Sequence, residues 1–154
     1  MKQMTLAYDT VFKDLTGASI LCVIDFKEGT TDALHAAFNI AGSTNSPLTV
    51  LYPYRLNQPR SMADMGQWKK SIDLDASNNF ARMSRSLLDQ SNITCDFKPE
   101  VGFINDRIDA FSQRNNMGMI IISKQLAESS NEHFFDMLGR IGCPVLIVPG
   151  KQIS

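Results

Sequence analysis

Short apolar runs and amphipathic stretches alternate along this chain, and few folds accommodate that rhythm. Five runs read as strands: "SILCVID" (Ser19–Asp25), "PLTVLYP" (Pro47–Pro53), "ITCDFKPEVG" (Ile93–Gly102), "MGMIIIS" (Met117–Ser123) and "CPVLIVPG" (Cys143–Gly150). Continuous apolar runs such as the first suit strands covered on both faces. Between the strands, apolar residues recur at helical spacing. Leu34, Ala37, Phe38 and Ala41 mark the first helix, with Thr30 or Thr31 as N-cap and Gly42 as stop. Trp68, Ile72, Ala76, Phe80, Met83 and Leu87 mark a long second helix from about Gln67 to Gln90, after a loop from Tyr54 to Gly66 that contains Pro59. Ile104, Ile108 and Phe111 mark the third. Phe134, Leu138 and Ile141 mark the fourth, with a capping-box pattern from Ser129 to Glu132 at its start. Such alternation predicts an open α/β sheet of five parallel strands with helices on both faces.

A chain of 154 residues suffices for one domain with a real core. The expected division is an N-terminal arm over 1–18, the domain over 19–150 and a tail over 151–154. In the arm, Tyr8, Val11, Phe12 and Leu15 suit a short amphipathic helix or a docking strap, with a partly ordered tail as the alternative. Net charge is −1 with 20% charged residues. Without a basic excess, no nucleic-acid partner is expected. No apolar run is long enough to span a bilayer, and the first residues lack the apolar centre of a secretory signal, so no membrane partner and a cytoplasmic location are expected.

Catalytic chemistry is hard to place, and the expectation is that the protein is not an enzyme. His35 and His133 each lack a nucleophile at fixed spacing. Cys22, Cys95 and Cys143 lie in or beside strands and form no C-x-x-C pair, so they read as reduced, buried thiols and no metal site is expected. Arg82 and Arg85 beside Asp89 read as a solvated helix face. A phosphorylated receiver domain would need an acidic cluster after strand one and an aspartate ending strand three. Asp25 stands alone, and Asp96 falls inside its strand.

Several segments taken together resemble the universal stress protein family over about Ser19 to Pro149. These are "ILCVIDFKEGTTDALHAAFNIA", the long second helix, "VGFINDRIDAFSQRNNMGMIIIS" and "GCPVLIVPG". The resemblance implies a Rossmann-like sheet ordered 3-2-1-4-5, of the adenine nucleotide alpha-hydrolase-like type. Strands one and four then flank the topological switch point, where such sheets bind ligands. Nucleotide-binding members carry G-x2-G-x9-G-[ST] directly after strand four, where glycines let backbone N–H groups approach phosphates. Here Ser123 stands at the first glycine and Leu126 at the second, and the segment is about half a dozen residues short. A short, mobile polar loop over Lys124–Ser130 is the expected replacement.

The resemblance singles out Asp25, Tyr52, Ile122 and Ser123 as the remnant of a nucleotide site. Asp25 matches an adenine-contacting aspartate, and its alternative role is to cap the "KEGTT" turn. That turn carries one glycine, weak support for a phosphate loop, and reads equally as an N-cap turn. Tyr52 could stack on a base or fill the space. No cofactor is expected, with ATP or AMP disfavoured by the missing motif. The expected function is that of a non-ATP-binding homodimer acting in stress response or signalling through contacts with a protein partner the sequence does not name. The alternative is a small-molecule or nucleotide sensor at the switch point. The dimer is expected to form through strand five, whose Val145, Leu146, Ile147 and Val148 would otherwise leave an uncharged sheet edge bare.

Overall fold

The computed structural model describes residues 18–56, 61–130 and 133–150. The arm residues Tyr8, Val11, Phe12 and Leu15, as well as Pro59, Glu132 and the tail 151–154, lie outside the described residues. Five strands form one sheet: β1 (Ser19–Val23), β2 (Leu48–Tyr54), β3 (Cys95–Val101), β4 (Met117–Ser123) and β5 (Val145–Val148). Their order is β3-β2-β1-β4-β5, and every pairing is parallel. The parallel α/β class is the one the alternating pattern predicts, and the strand order is the one the family resemblance implies. Five helices surround it: α1 (Thr30–Thr44), α2 (Met62–Asp89), α3 (Ile104–Arg114), α4 (Lys124–Ser129) and α5 (Phe134–Ile141). Among the described residues, no helix is long and apolar enough to cross a membrane.

Alternation along the strands builds two cores. Ile20, Cys22 and Ile24 of the β1 run face α1, where Leu34, Ala37, Phe38 and Ala41 bury, and α2, where Phe80 does. Leu21 and Val23 face the other way, onto Ile108 and Phe111 of α3 and Phe134 and Met137 of α5. Each fully buried Leu, Ile or Phe contributes about 1.5–3 kcal/mol relative to exposure. The central strands β1 and β4 are therefore the most hydrophobic, as strands covered on both faces must be.

Several boundaries depart from expectation. α1 runs through Gly42 to Thr44, with Gly29 rather than Thr30 or Thr31 at its N-cap and Asn45 in left-handed backbone as its C-cap. α5 is preceded by His133, and Ser129 instead ends α4. The second helix starts at Met62, inside the expected loop, and takes in Gly66. Ser61 caps it by accepting the Asp64 N–H at 3.2 Å. The signal is the S-x-x-D spacing of Ser61 and Asp64, which precedes the apolar stripe and so falls outside it. A further departure lies after β4 and bears directly on the site.

A switch-point cleft closed by a short helix

β1 and β4 are neighbours, with Val23 opposite Ile122. Their C-terminal ends open where the chain order reverses, the place where open α/β sheets hold ligands. Beyond β1, Asp25 Oδ1 accepts the Lys27 N–H at 2.9 Å and the Thr30 hydroxyl at 3.3 Å. These bonds fold the turn into α1. Within it Phe26 adopts a left-handed backbone, φ 59°, which costs a bulky residue about 1–2 kcal/mol. Gly29 follows at φ 92°.

Beyond β4 there is no loop. Ser123 is buried and accepts the Leu126 N–H at 3.1 Å, and the six residues of α4 start at once. The expected polar loop over Lys124–Ser130 is thus corrected to a capped helical turn. Leu126 and Ala127 explain the difference: both are buried against the α3–α5 core. Two apolar residues are too few to register as periodicity, yet they anchor one turn. Lys124 and Glu128, 3.8 Å apart on the outer side, add an exposed ion pair of small worth.

Gln125 then crosses the gap between the two connections. A Cβ at Gly29 would come within 2.5 Å of Gln125 Oε1 and 2.9 Å of Ser123 Cβ. A Cβ at Gly150, beyond β5, would collide with Gln125 Nε2. Both glycines therefore make room for a side chain. Gln125 Oε1 is buried with no hydrogen-bond partner among the described residues. A polyphosphate cradle needs glycine backbone N–H groups facing open space, whereas at Gly29 and Gly150 the backbone faces the Gln125 side chain.

Beside α4 a cleft of about 370 Å³ remains, lined in part by Asp25, Lys27, Pro53, Arg55, Phe103 and Leu126. The Arg55 guanidinium carbon lies 4.2 Å from the centre of the Phe103 ring, a cation–π contact. Of the four residues the sequence singles out, Asp25 lines this cleft. Ser123 caps α4, and Ile122 is fully buried in the core on the α3–α5 side of the sheet. Tyr52 is not in the cleft. It packs towards the α1–α2 face, with its ring centre 4.8 Å from that of Phe26, and lines a separate cavity. Burial and, secondarily, the Asp25 charge push its phenol up. Lys27 belongs to the "KEGTT" turn weighed from the sequence, whereas Arg55 and Phe103 escaped the sequence reading. The signal of these two is position alone, just beyond the C-terminal ends of β2 and β3.

The thiols are poor nucleophiles. Burial pushes Cys22 and Cys143 up and raises Cys95 to about 11, so all stay protonated near neutrality. His35 is exposed, and His133 lies 3.7 Å from Asp136 at the surface. Among the described residues, no three His, Cys, Asp or Glu side chains cluster as metal ligands would.

No family model matches the sequence, and no curated protein matches it. Solved structures do. Universal stress protein UspA from Lactobacillus plantarum matches with a TM-score of 0.64 at 15% identity, over 86% of this chain and 98% of that one. The protein has the universal stress protein fold. A universal stress protein solved in complex with cAMP matches at TM-score 0.59 and 15% identity, over 87% of this chain and 98% of its own. One from Archaeoglobus fulgidus, in complex with dAMP, matches at TM-score 0.57 and 14% identity, with coverage of 87% and 98%. At these identities the universal stress protein fold is what is shared.

Proposed function

We propose that the protein is a non-catalytic homodimer of the universal stress protein type, which acts in stress response or signalling through protein contacts and does not bind ATP. One observation carries this reading: α4 and Gln125 stand where a glycine-lined phosphate loop would have to open. The dimer is supported by β5, an edge strand whose four residues are all aliphatic and only partly buried. An uncharged edge of this kind is stable when paired, and a second copy across a two-fold axis closes it.

Millimolar ATP with magnesium is expected to leave the melting temperature unchanged. A ligand at a hundred times its dissociation constant would add about 2.7 kcal/mol. A saturable shift that Asp25→Ala abolishes would overturn the reading. Light scattering is expected to give a dimer, weakened by proline at Leu146 or Ile147 through lost ladder bonds of about 0.5–1.5 kcal/mol each. A monomer at tens of micromolar would refute the assembly.

The cleft favours a second reading, a small-molecule sensor. It has room for a compact ligand, with Asp25, Lys27 and Arg55 on its walls. The cAMP and dAMP complexes of the similar structures make those two nucleotides the first ligands to titrate. A melting shift with either one, and none with ATP, would select this reading.

A further inference from the structure

On the opposite side of β1 and β2 from the cleft lies a second cavity, of about 240 Å³, between the strand ends and α2. Phe26, Tyr52, Ile72, Asp75, Ala76 and Asn79 line it. We propose that this cavity binds a small planar cation, with its ring against Phe26 and Tyr52 and its ammonium group on Asp75.

The walls specify that chemistry. Phe26 and Tyr52 meet edge to face and are only partly buried, so their rings are open to an occupant. Behind them Phe97 lies 6.1 Å from Phe26 and stacks on Phe80 at 4.6 Å. This aromatic backing holds the two rings in place, so their order is not acquired on binding. The faces of aromatic rings attract cations. Among the lining residues, Asp75 carries the only charge, and its carboxylate is exposed at the rim. Asp25 adds negative potential nearby, since its charge is one cause of the raised Tyr52 pKa. Of the neighbouring cations, Lys69 is paired with Asp73 at 2.6 Å, whereas Arg82, which donates to Asn79 Oδ1 at 2.9 Å, keeps its charge and sets the limit on how far the site favours a cation.

Size narrows the class. The volume is below the range of about 300–1,000 Å³ typical of drug-sized ligands. One ring or two fused rings with a short amine tail fit. The left-handed backbone at Phe26 sets the direction of its ring at the cavity mouth. Asp25 holds the turn, and the Phe26 ring packs with one side against the α1–α2 core while its partly buried remainder faces the cavity. A strained bulky residue that faces a cavity is what ligand clamps show.

Isothermal titration calorimetry of the full chain with tryptamine tests the proposal. Tryptophol, its uncharged analogue, and indole acetate, its anionic analogue, are the comparisons. Saturable tryptamine binding is expected, with tryptophol about tenfold weaker and indole acetate weaker still. Asp75→Asn is expected to bring tryptamine down to the level of tryptophol without changing the melting temperature, because the residue is exposed. Phe26→Gly removes the ring and relaxes the backbone, and is expected to abolish binding in a protein that still unfolds cooperatively. Arg55→Ala, in the other cleft, is expected to leave binding unchanged. Absence of saturable tryptamine binding to the wild type would overturn the proposal. So would equal affinity for tryptamine and tryptophol, or binding that survives both Asp75→Asn and Phe26→Gly.

Discussion

Two connections leave adjacent strands at the switch point, and they solve the same problem in opposite ways. After β1 the chain makes a true turn. Asp25 supplies two hydrogen bonds, Phe26 and Gly29 take left-handed backbone, and only then does α1 begin. After β4 there is no turn at all: one buried serine converts strand directly to helix. The turn after β1 leaves space, and α4 takes that space with Gln125. Glycine in this fold therefore has two uses. It can expose backbone to a ligand, or it can clear room for a side chain. Gly29 has the second use, so a glycine in a strand–helix turn is no evidence of phosphate binding until its neighbour is known.

The largest test of this contrast is Leu126→Ala. Leu126 is 5% exposed and anchors α4 in the α3–α5 core. The expected loss is about 2–5 kcal/mol, read by chemical denaturation. If the loss falls below about 1 kcal/mol, within reach of a surface change, α4 is not the packed element that distinguishes the two connections.

Gly29→Ala comes next. It forces a side chain into left-handed backbone and against Gln125 and Ser123, for an expected loss of about 1–3 kcal/mol. The double variant sharpens it. In a Gln125→Ala background the Oε1 contact is gone, and Gly29→Ala is expected to cost at least about 0.5 kcal/mol less. Strict additivity would mean that the turn and α4 do not meet through this side chain.

The difference between the connections also marks what could be read from the sequence. The parallel α/β class was legible because it rests on long apolar runs, and the β1–α1 turn because a carboxylate is spaced to reach Lys27 N–H and Thr30; the strand order came from the family resemblance and not from the apolar pattern. The missing glycines after β4 were equally plain. What replaced them was not, since α4 is a single turn held by Leu126 and Ala127, and its evidence is tertiary. Tyr52 shows the complementary limit. Its place at the end of β2 was clear, but which side its ring takes depends on strand pleat, which a one-residue shift in register reverses. Val50 and Tyr52 share the α1–α2 face, so the cleft instead receives Pro53.

The smallest expected effect isolates the device that lets α4 start without a turn. Ser123 Oγ accepts the Leu126 N–H, and loss of an N-cap serine costs about 1 kcal/mol. Ser123→Ala is therefore expected to lower global stability only slightly more than an ordinary surface change. Its signature is local. The Leu126 amide loses its acceptor, and its hydrogen exchange should quicken about fivefold, the equivalent of that free energy when exchange follows local opening. The Ile120 amide, held by the Pro144 carbonyl at 3.0 Å within the sheet, is the internal reference. Ser123→Thr keeps a hydroxyl at the cap and is expected to restore slow exchange at Leu126. The residue is buried beside Gly29, so the added methyl group makes this a demanding rescue. If exchange at Leu126 is the same in the wild type and in Ser123→Ala, the serine does not hold the helix. The packing of Leu126 and Ala127 would then alone set where the strand ends.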